Sequence, residues 1–263
     1  MPASPPADAD RIDALLGPDS GWRVRCVSST GSTNADLAAA ARAGEPAGAV
    51  LVADHQGAGR GRFDRSWASP PGVSVSTSVL LRPQRPPLDW GWLSLLVGLA
   101  VADGIRRLGG GDRVTLKWPN DVLIDGRKIC GILSERVTTD QGDAAVCGWG
   151  INVSMTPAEL PVPGATSLLM AGLPTDKSQL LAGILGPLGW LASRWDAGDD
   201  LRADYAAGCA TIGRRVRVHL DSQVAGGRSV DGDAVAVGPN GELLVDVDGR
   251  LEAFAAGDVV HLR

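Results

Sequence analysis

Between residues 114 and 154 the chain reads as one short strand after another. Val114-Thr115-Leu116-Lys117 and Asp121-Val122-Leu123-Ile124 are apolar runs on either side of a break at Pro119. Asp125-Gly126 is a hairpin signal, and residues 129–136 and 144–151 carry the pattern onward. Strands so close together pair antiparallel, because a parallel crossover needs a dozen or more residues between them. The helical patterns lie elsewhere. This separation predicts an α+β fold, a mixed or antiparallel sheet flanked by helices, and argues against a doubly wound one.

The flanking segments fit that frame. Residues 24–28 and 49–53 read as strands. Ser32-Thr33-Asn34 between them supplies hydroxyl and amide caps for an Ala-rich helix over 35–43. Residues 73–81 alternate with period two and predict a half-buried strand. Asp89 predicts the cap of a long helix over 90–108, stopped by Gly109-Gly110-Gly111, with Trp90 and Trp92 as packing residues. Residues 156–174 read as a Pro/Gly-rich loop. A helix over 176–195, kinked at Pro187, and a short one over 201–207 follow. From Gly213 the character changes. Arg215-Val216-Arg217-Val218-His219-Leu220 alternates, and Pro239-Asn240-Gly241 and Asp248-Gly249 are hairpin turns. Three segments result: a loose tail over 1–20 with a short helical turn at 11–16, a large domain over 21–212, and a small SH3-like β-barrel over 213–263.

One stretch points to chemistry. His55-Gln56-Gly57-Ala58-Gly59-Arg60-Gly61-Arg62-Phe63-Asp64-Arg65-Ser66-Trp67 leaves a buried strand and mixes glycines with arginines. Glycine lets backbone N–H groups approach a ligand, and arginine adds a permanent planar fork of donors for carboxylate or phosphate. The spacing G-x-G-x-G, followed by Ser69-Pro70-Pro71-Gly72, is not a dinucleotide fingerprint, because no helix can open there. From the loop alone, an RGG-like nucleic-acid tract and a plain solvated loop remain alternatives.

Composition narrows the classes. With 25 basic and 30 acidic residues the net charge is −5, which disfavours a dedicated nucleic-acid binder. The four cysteines have no C-x-x-C spacing and the three histidines no metal-ligand spacing. No tightly bound metal is expected, and a reduced, cytoplasmic setting is. The first ten residues lack the apolar core of a signal peptide. The apolar run over 93–102 is short for a membrane span, so no membrane partner is expected. Only 31 residues precede Ser32, about half of what a winged helix-turn-helix needs, so no DNA partner is expected either.

Gly59-Arg60-Gly61-Arg62…Trp67, Lys117-Trp118-Pro119-Asn120-Asp121 and Lys128-x-x-Gly131-Ile132-Leu133, in this order, resemble biotin protein ligases, the enzymes that attach biotin to carboxylase carrier domains. Ser32-Thr33-Asn34 and Gly150-Ile151-Asn152 match that family too, so the resemblance spans roughly residues 24–155. Asp64 stands where the family usually has glycine. The resemblance implies ATP and biotin as substrates, a biotinyl-5′-AMP intermediate, and biotin carboxyl carrier domains of acyl-CoA carboxylases as partners. It places Ser32, Thr33 and Asn34 at the ureido ring. Gln56, a neutral donor and acceptor, suits the same ring. Gly59, Gly61 and Gly131 allow close approach, and Trp67 is either a pocket wall or plain core. Joining two anions needs fixed positive charge. Arg60, Arg62 and Lys128 are the catalytic candidates, Arg65 and Lys117 further phosphate contacts. Asn120 and Asp121 reach phosphates, Asp121 through Mg²⁺, and Asn152 reads adenine. The rival readings are a lipoate or octanoate ligase or transferase, a biotin-responsive repressor, and a biotin-binding module without ligase activity. Gln56 with the Gly-Arg-Gly-Arg loop favours biotin. Lys128 with Asn120-Asp121 favours an enzyme.

Overall fold

Strand alternation decides which residues face the core and which face the site. The computed structural model describes residues 4–63, 65–68, 70–220 and 228–262. The elements run α1 (Ala9–Leu16), β1 (Arg23–Val27), α2 (Thr33–Arg42), β2 (Ala49–Ala53), β3 (Ser74–Leu81), α3 (Trp92–Ile105), β4 (Val114–Lys117), β5 (Asp121–Ile124), β6 (Arg127–Thr139), β7 (Gly142–Asn152), α4 (Lys177–Asp196), α5 (Arg202–Gly208), β8 (Arg215–His219), β9 (Ser229–Val237), β10 (Leu243–Val247), β11 (Arg250–Phe254) and β12 (Asp258–His261). The first sheet has the order β1-β2-β3-β7-β6-β5-β4. Only β1 and β2 pair parallel, with α2 as their crossover; the other pairs are antiparallel. The sheet is therefore mixed and flanked by helices, as the sequence predicts.

The two faces of this sheet have different jobs. On β7, Cys147, Trp149 and Ile151 join the main core, while Ala144 and Val146 belong to a small second cluster under α2. Gly148, Gly150 and Asn152 continue that second face from the N-terminus of α2 outward, and there they line a cavity. β3 follows the same logic. Val75 and Val79 enter the main core and Leu80 the second cluster. Because β3 is central and covered on both sides, all but its last residue are buried, rather than half of them as alternation alone suggested.

Helix α3 is buried nearly all round, between the sheet and α4. The stretch from Pro87 to Arg113 has the length and composition of a membrane span, but two-thirds of its most apolar window is buried inside the protein, as a core helix requires. Asp89 is not its cap. It lies in a 3₁₀ turn (Pro87–Gly91), and α3 starts after Gly91 with no side-chain cap. Helix α4 runs as one helix through Pro187.

The expected loose tail is instead tied down from Ser4 onward. Asp8 caps α1, Ile12 is fully buried, and Arg11 pairs with Asp176 at 2.5 Å. Its partners lie some 165 residues further on, so no local pattern announces them.

The C-terminal part is a five-stranded antiparallel sheet, β11-β10-β9-β8-β12. Its end strands β11 and β12 do not pair with each other among the described residues, so closure into a barrel is not seen there. The sheet leans on the first through the turn at Pro239-Asn240-Gly241. Trp92 Nε1 donates to Pro239 O at 2.8 Å and Trp118 Nε1 to Gly241 O at 2.9 Å. A side chain at Gly91 would meet Asn240 O at 2.3 Å, so glycine is needed at this junction.

Candidate active site

A β-bulge on β6 sets the site. Asp121 pairs with Gly131 and Val122 with Cys130, but Leu123 pairs with Lys128, so Ile129 is the extra residue. Period-two alternation would otherwise put Lys128 and Gly131 on opposite faces. The bulge brings Asp121, Lys128, Gly131 and Leu133 onto the face of Gly148, Gly150 and Asn152, around a cavity of about 280 Å³.

The floor is made of glycine. Gly131 and Gly150 are directly paired across β6 and β7. A Cβ on Gly150 would lie 2.2 Å from Trp67 Nε1, and one on Gly131 would lie 2.8 Å from the same indole. Trp67 therefore rests on this floor as a wall of the cavity, with a buried Nε1 that makes no hydrogen bond. The loop that carries it is folded as a hairpin. Trp67 N donates to Gly59 O at 2.8 Å, and a Cβ on Gly59 would strike Trp67 O at 2.6 Å. Asp64 lies outside the described residues.

At one end of the cavity Ser32, Thr33, Asn34, Gln56 and Ser78 are polar and uncharged, with the Arg60–Glu135 ion pair beside them. Ser32 caps α2, and Ser32, Thr33 and Asn34 are 3–6% exposed. Gln56 Oε1 accepts from Thr33 N at 2.8 Å. Ser78, fully buried on β3, lies 2.7 Å from Thr33 Oγ1 and 2.6 Å from Asn34 Oδ1. Asn34 Nδ2 reaches Glu135 at 2.7 Å, and Glu135 pairs with Arg60 at 3.0 Å.

At the other end the groups are cationic and more exposed. Lys128 Nζ pairs with Asp121 at 2.5 Å and sits 5.9 Å from the Trp67 ring centroid. Arg62 donates to Gly257 O at 3.1 Å, and Arg65 forms an ion pair with Asp258 on β12. Burial pushes the Arg62 guanidinium below its ordinary value; Asp258 opposes that shift and Arg65 adds to it. Asn120 is fixed by its Nδ2 donating to Ile132 O at 2.8 Å. Asn152, 1% exposed, spends its Nδ2 on Thr166 O at 2.9 Å, and its Oδ1 is buried with no partner.

Ser32, Thr33, Asn34, Gln56, Arg60, Gly61, Arg62, Arg65, Trp67, Asn120, Asp121, Lys128, Gly131 and Asn152 thus all line one cavity. Gly59 shapes the hairpin behind it. Lys117 lines an adjoining cavity of about 420 Å³ that shares Arg65, Asn120, Asp121 and Asp258 with the first. Sequence reasoning passed over Ser78, Glu135, Gly148 and Asp258. Two of them leave a trace: serine at alternate positions 74, 76 and 78 of an apolar strand, and the pair Gly148-x-Gly150.

Residues 25–152 match the model of the biotin/lipoate A/B protein ligase family. The chain is 44% identical over 267 residues to the biotin–[acetyl-CoA-carboxylase] ligase of Mycobacterium tuberculosis, covering 98% of this chain and 97% of that protein. It belongs to the biotin protein ligase family. The ligase is also 34% identical to the bifunctional ligase/repressor BirA of Salmonella typhimurium, over 96% of this chain and 77% of that one. Among solved structures, the biotin protein ligase of Aquifex aeolicus in complex with biotin and ATP shares the fold, with a TM-score of 0.74, 24% identity, and coverage of 92% and 99% of the two chains.

Proposed function

We propose that this ligase activates biotin with ATP as biotinyl-5′-AMP and transfers it to a lysine of a biotin carboxyl carrier domain of an acyl-CoA carboxylase. The carrying observation is the polarity of the cavity. A buried polar end fits a cyclic urea, and a cationic end, further along the same strands β6 and β7, fits a carboxylate and phosphates. The biotin carboxylate attacks the α-phosphorus of ATP, and pyrophosphate leaves. The acceptor amine then attacks the mixed anhydride and AMP leaves. Arg62 and Lys128 stabilise the charge that gathers at the first step. Arg65 and, from the adjoining cavity, Lys117 take the outer phosphates. Arg60 faces Glu135 and serves the ureido end.

Asn152 Oδ1 is an acceptor without a donor, which suits the exocyclic amine of adenine. Mg²⁺ neutralises phosphate charge when bound. Asp121 is the carboxylate that would hold it, and no group of three or more His, Cys, Asp or Glu gathers there or anywhere else among the described residues. Such a site, one carboxylate plus substrate phosphates, is usual for this ion. The division into a catalytic region over 21–212 and a C-terminal one over 213–263, and a cytoplasmic location, complete the proposal. Four free cysteines accord with that location.

The test is ATP–pyrophosphate exchange driven by biotin or by lipoate, followed by transfer to a carrier domain. Biotin alone should drive exchange. Equal exchange with lipoate would move the assignment to a lipoate ligase.

A further inference from the structure

The polar end of the cavity is a chain of hydrogen bonds whose direction can be worked out atom by atom. Asn34 Nδ2 lies 2.7 Å from Glu135 Oε2 and 3.1 Å from Leu133 O, two acceptors. Both amide protons are used there, which fixes the amide orientation and turns Oδ1 toward Ser78. Ser78 Oγ is 2.6 Å from that oxygen and 2.7 Å from Thr33 Oγ1. Ser78 has one proton. If it went to Thr33, two buried oxygens would face each other at 2.6 Å with no proton between them. It therefore goes to Asn34, and Thr33 must donate to Ser78. Gln56 Oε1 is a second acceptor within 3.1 Å of Thr33 Oγ1, but it is the longer contact and already accepts from Thr33 N–H at 2.8 Å, so the Thr33 proton goes to the closer Ser78.

We propose that Glu135 and Ser78, which do not line the cavity, are positioning residues for substrate selection. Acting through Asn34, they draw the Thr33 hydroxyl proton away from the cavity, so that Thr33 presents only lone pairs to the ligand. The site is thereby set to accept from a ring N–H and to reject a ring that offers an acceptor in that place. Arg60 pairs with the Glu135 carboxylate at 3.0 Å, at the head of the chain. A buried serine with both neighbours at hydrogen-bond distance is a strong relay, because any reversed polarity leaves a buried group unpaired. This inference rests on the biotin reading above.

The experiment measures binding of biotin and of its cyclic carbamate analogue, in which one ureido N–H is replaced by oxygen, to the wild-type protein, Ser78→Ala and Glu135→Gln. The kcat and KM for ATP–pyrophosphate exchange are recorded for all three. In the wild type the carbamate should bind about 10- to 100-fold more weakly than biotin, the range for one unpaired buried group. Ser78→Ala leaves the Thr33 proton free to turn into the cavity, so the preference should fall to within a few-fold. The loss should appear in KM for biotin, with kcat at saturation nearly kept. Glu135→Gln keeps the shape but removes the charge that sets the direction, and should lower the preference to an intermediate value. If Ser78→Ala does not fold, Glu135→Gln decides. An undiminished biotin-to-carbamate ratio in the folded variants would overturn the relay, as would a purely structural loss that lowers the melting temperature and kcat but not the ratio. Failure of the wild type to bind biotin at all would strike the functional reading instead.

Discussion

The two ends of the cavity are built on opposite principles. The ureido end is buried, neutral and internally partnered. Thr33, Asn34 and Ser78 are each 5% exposed or less, and their neighbours lie on α2, β3 and β6, which these hydrogen bonds tie together. The cationic end is held by acids at or near the surface. Lys128 and its partner Asp121 have side chains 32% and 18% exposed, and Arg65 and Asp258 are 56% and 28% exposed. The more exposed pair, Arg65–Asp258, contributes little to stability, roughly 0–1 kcal/mol, so an entering phosphate can replace Asp258 at small cost. Asp121 is more enclosed, with its Oδ1 buried beside Lys128. The rigid end recognises by shape and hydrogen-bond direction, and the exchangeable end waits for charge.

The largest effect should come from removing charge at the exchangeable end. Lys128→Ala takes a cation from the transition state and leaves Asp121 facing the cavity alone. Single-turnover formation of the adenylate should slow by about 10²–10³, the value of one preorganised donor. The melting temperature should shift little, since Lys128 contributes no core contact. A near-normal rate would make Lys128 a solvated lysine and remove the contrast between the ends.

The rigid end should respond to crowding rather than to charge. A Cβ on Gly148 would lie 1.9 Å from Asn34 Oδ1 and 3.0 Å from Ser78 Oγ. Gly148→Ala must therefore push Asn34 off its partners, at a cost of about 1–3 kcal/mol for an overpacked site. Biotin affinity should fall roughly 5- to 150-fold by calorimetry, with ATP affinity much less affected. An equal loss for both ligands would mean that the two ends are not separable.

How far the sequence could be read follows the same division. Local patterns were sufficient where partners are close in the chain. Ser32 caps α2, β2 occupies residues 49–53, and Asp125-Gly126 turns between β5 and β6 with both residues at positive φ. The motifs that carry the family resemblance also converged on one cavity. Partners from afar were not legible. Glu135 meets Arg60 across 75 residues and Asp258 meets Arg65 across 193. The bulge at Ile129 was hidden as well. Lys128-x-x-Gly131 on a regular strand would split its two ends between faces, and only the pairing with β5 shows that it does not. The docked α1 was missed for the same reason, because Asp176 and Ser178 hold it from the start of α4.

A smaller effect is expected at the hinge between loop and C-terminal sheet. Asp258→Asn removes the charge that holds Arg65 while keeping its size and one acceptor. The loop should lose its link to β12 and exchange its amides faster, and KM for ATP should change by only a few-fold, in keeping with the value of an exposed pair. A loss comparable to that of Lys128→Ala would mean that Asp258 belongs to the rigid part of the site.

The smallest effect concerns the junction that supports the exchangeable end from behind. Thr211 Oγ1 accepts from Trp118 N at 3.1 Å and lies 3.0 Å from His261 Nε2. Thr211 keeps one lone pair and its proton for His261 Nε2, so the contact is met by either tautomer of the neutral ring. Burial, with Lys117 and Arg214 nearby, lowers the His261 pKa from 6.5 to about 4. The sign follows from proton counting. Between these values the unfolded chain binds a proton that the folded chain refuses, so this group makes stability fall as pH drops from about 6.5 to about 4, and adds no further slope below that. Because His261 is on β12 and Thr211 contacts the Trp118 backbone, the loss should be felt where the C-terminal sheet meets the Lys117-Trp118-Pro119-Asn120-Asp121 turn. The expected change is a few degrees in melting temperature across that window. Carboxylates titrate in part of the same range, so the measurement compares the wild type with His261→Gln, which keeps an amide near Thr211 but has no titrating ring. The variant should show a shallower decline from pH 6.5 downward. Parallel curves for the two proteins would show that the ring does not resist protonation, and that the junction leaves the exchangeable end untouched by acid.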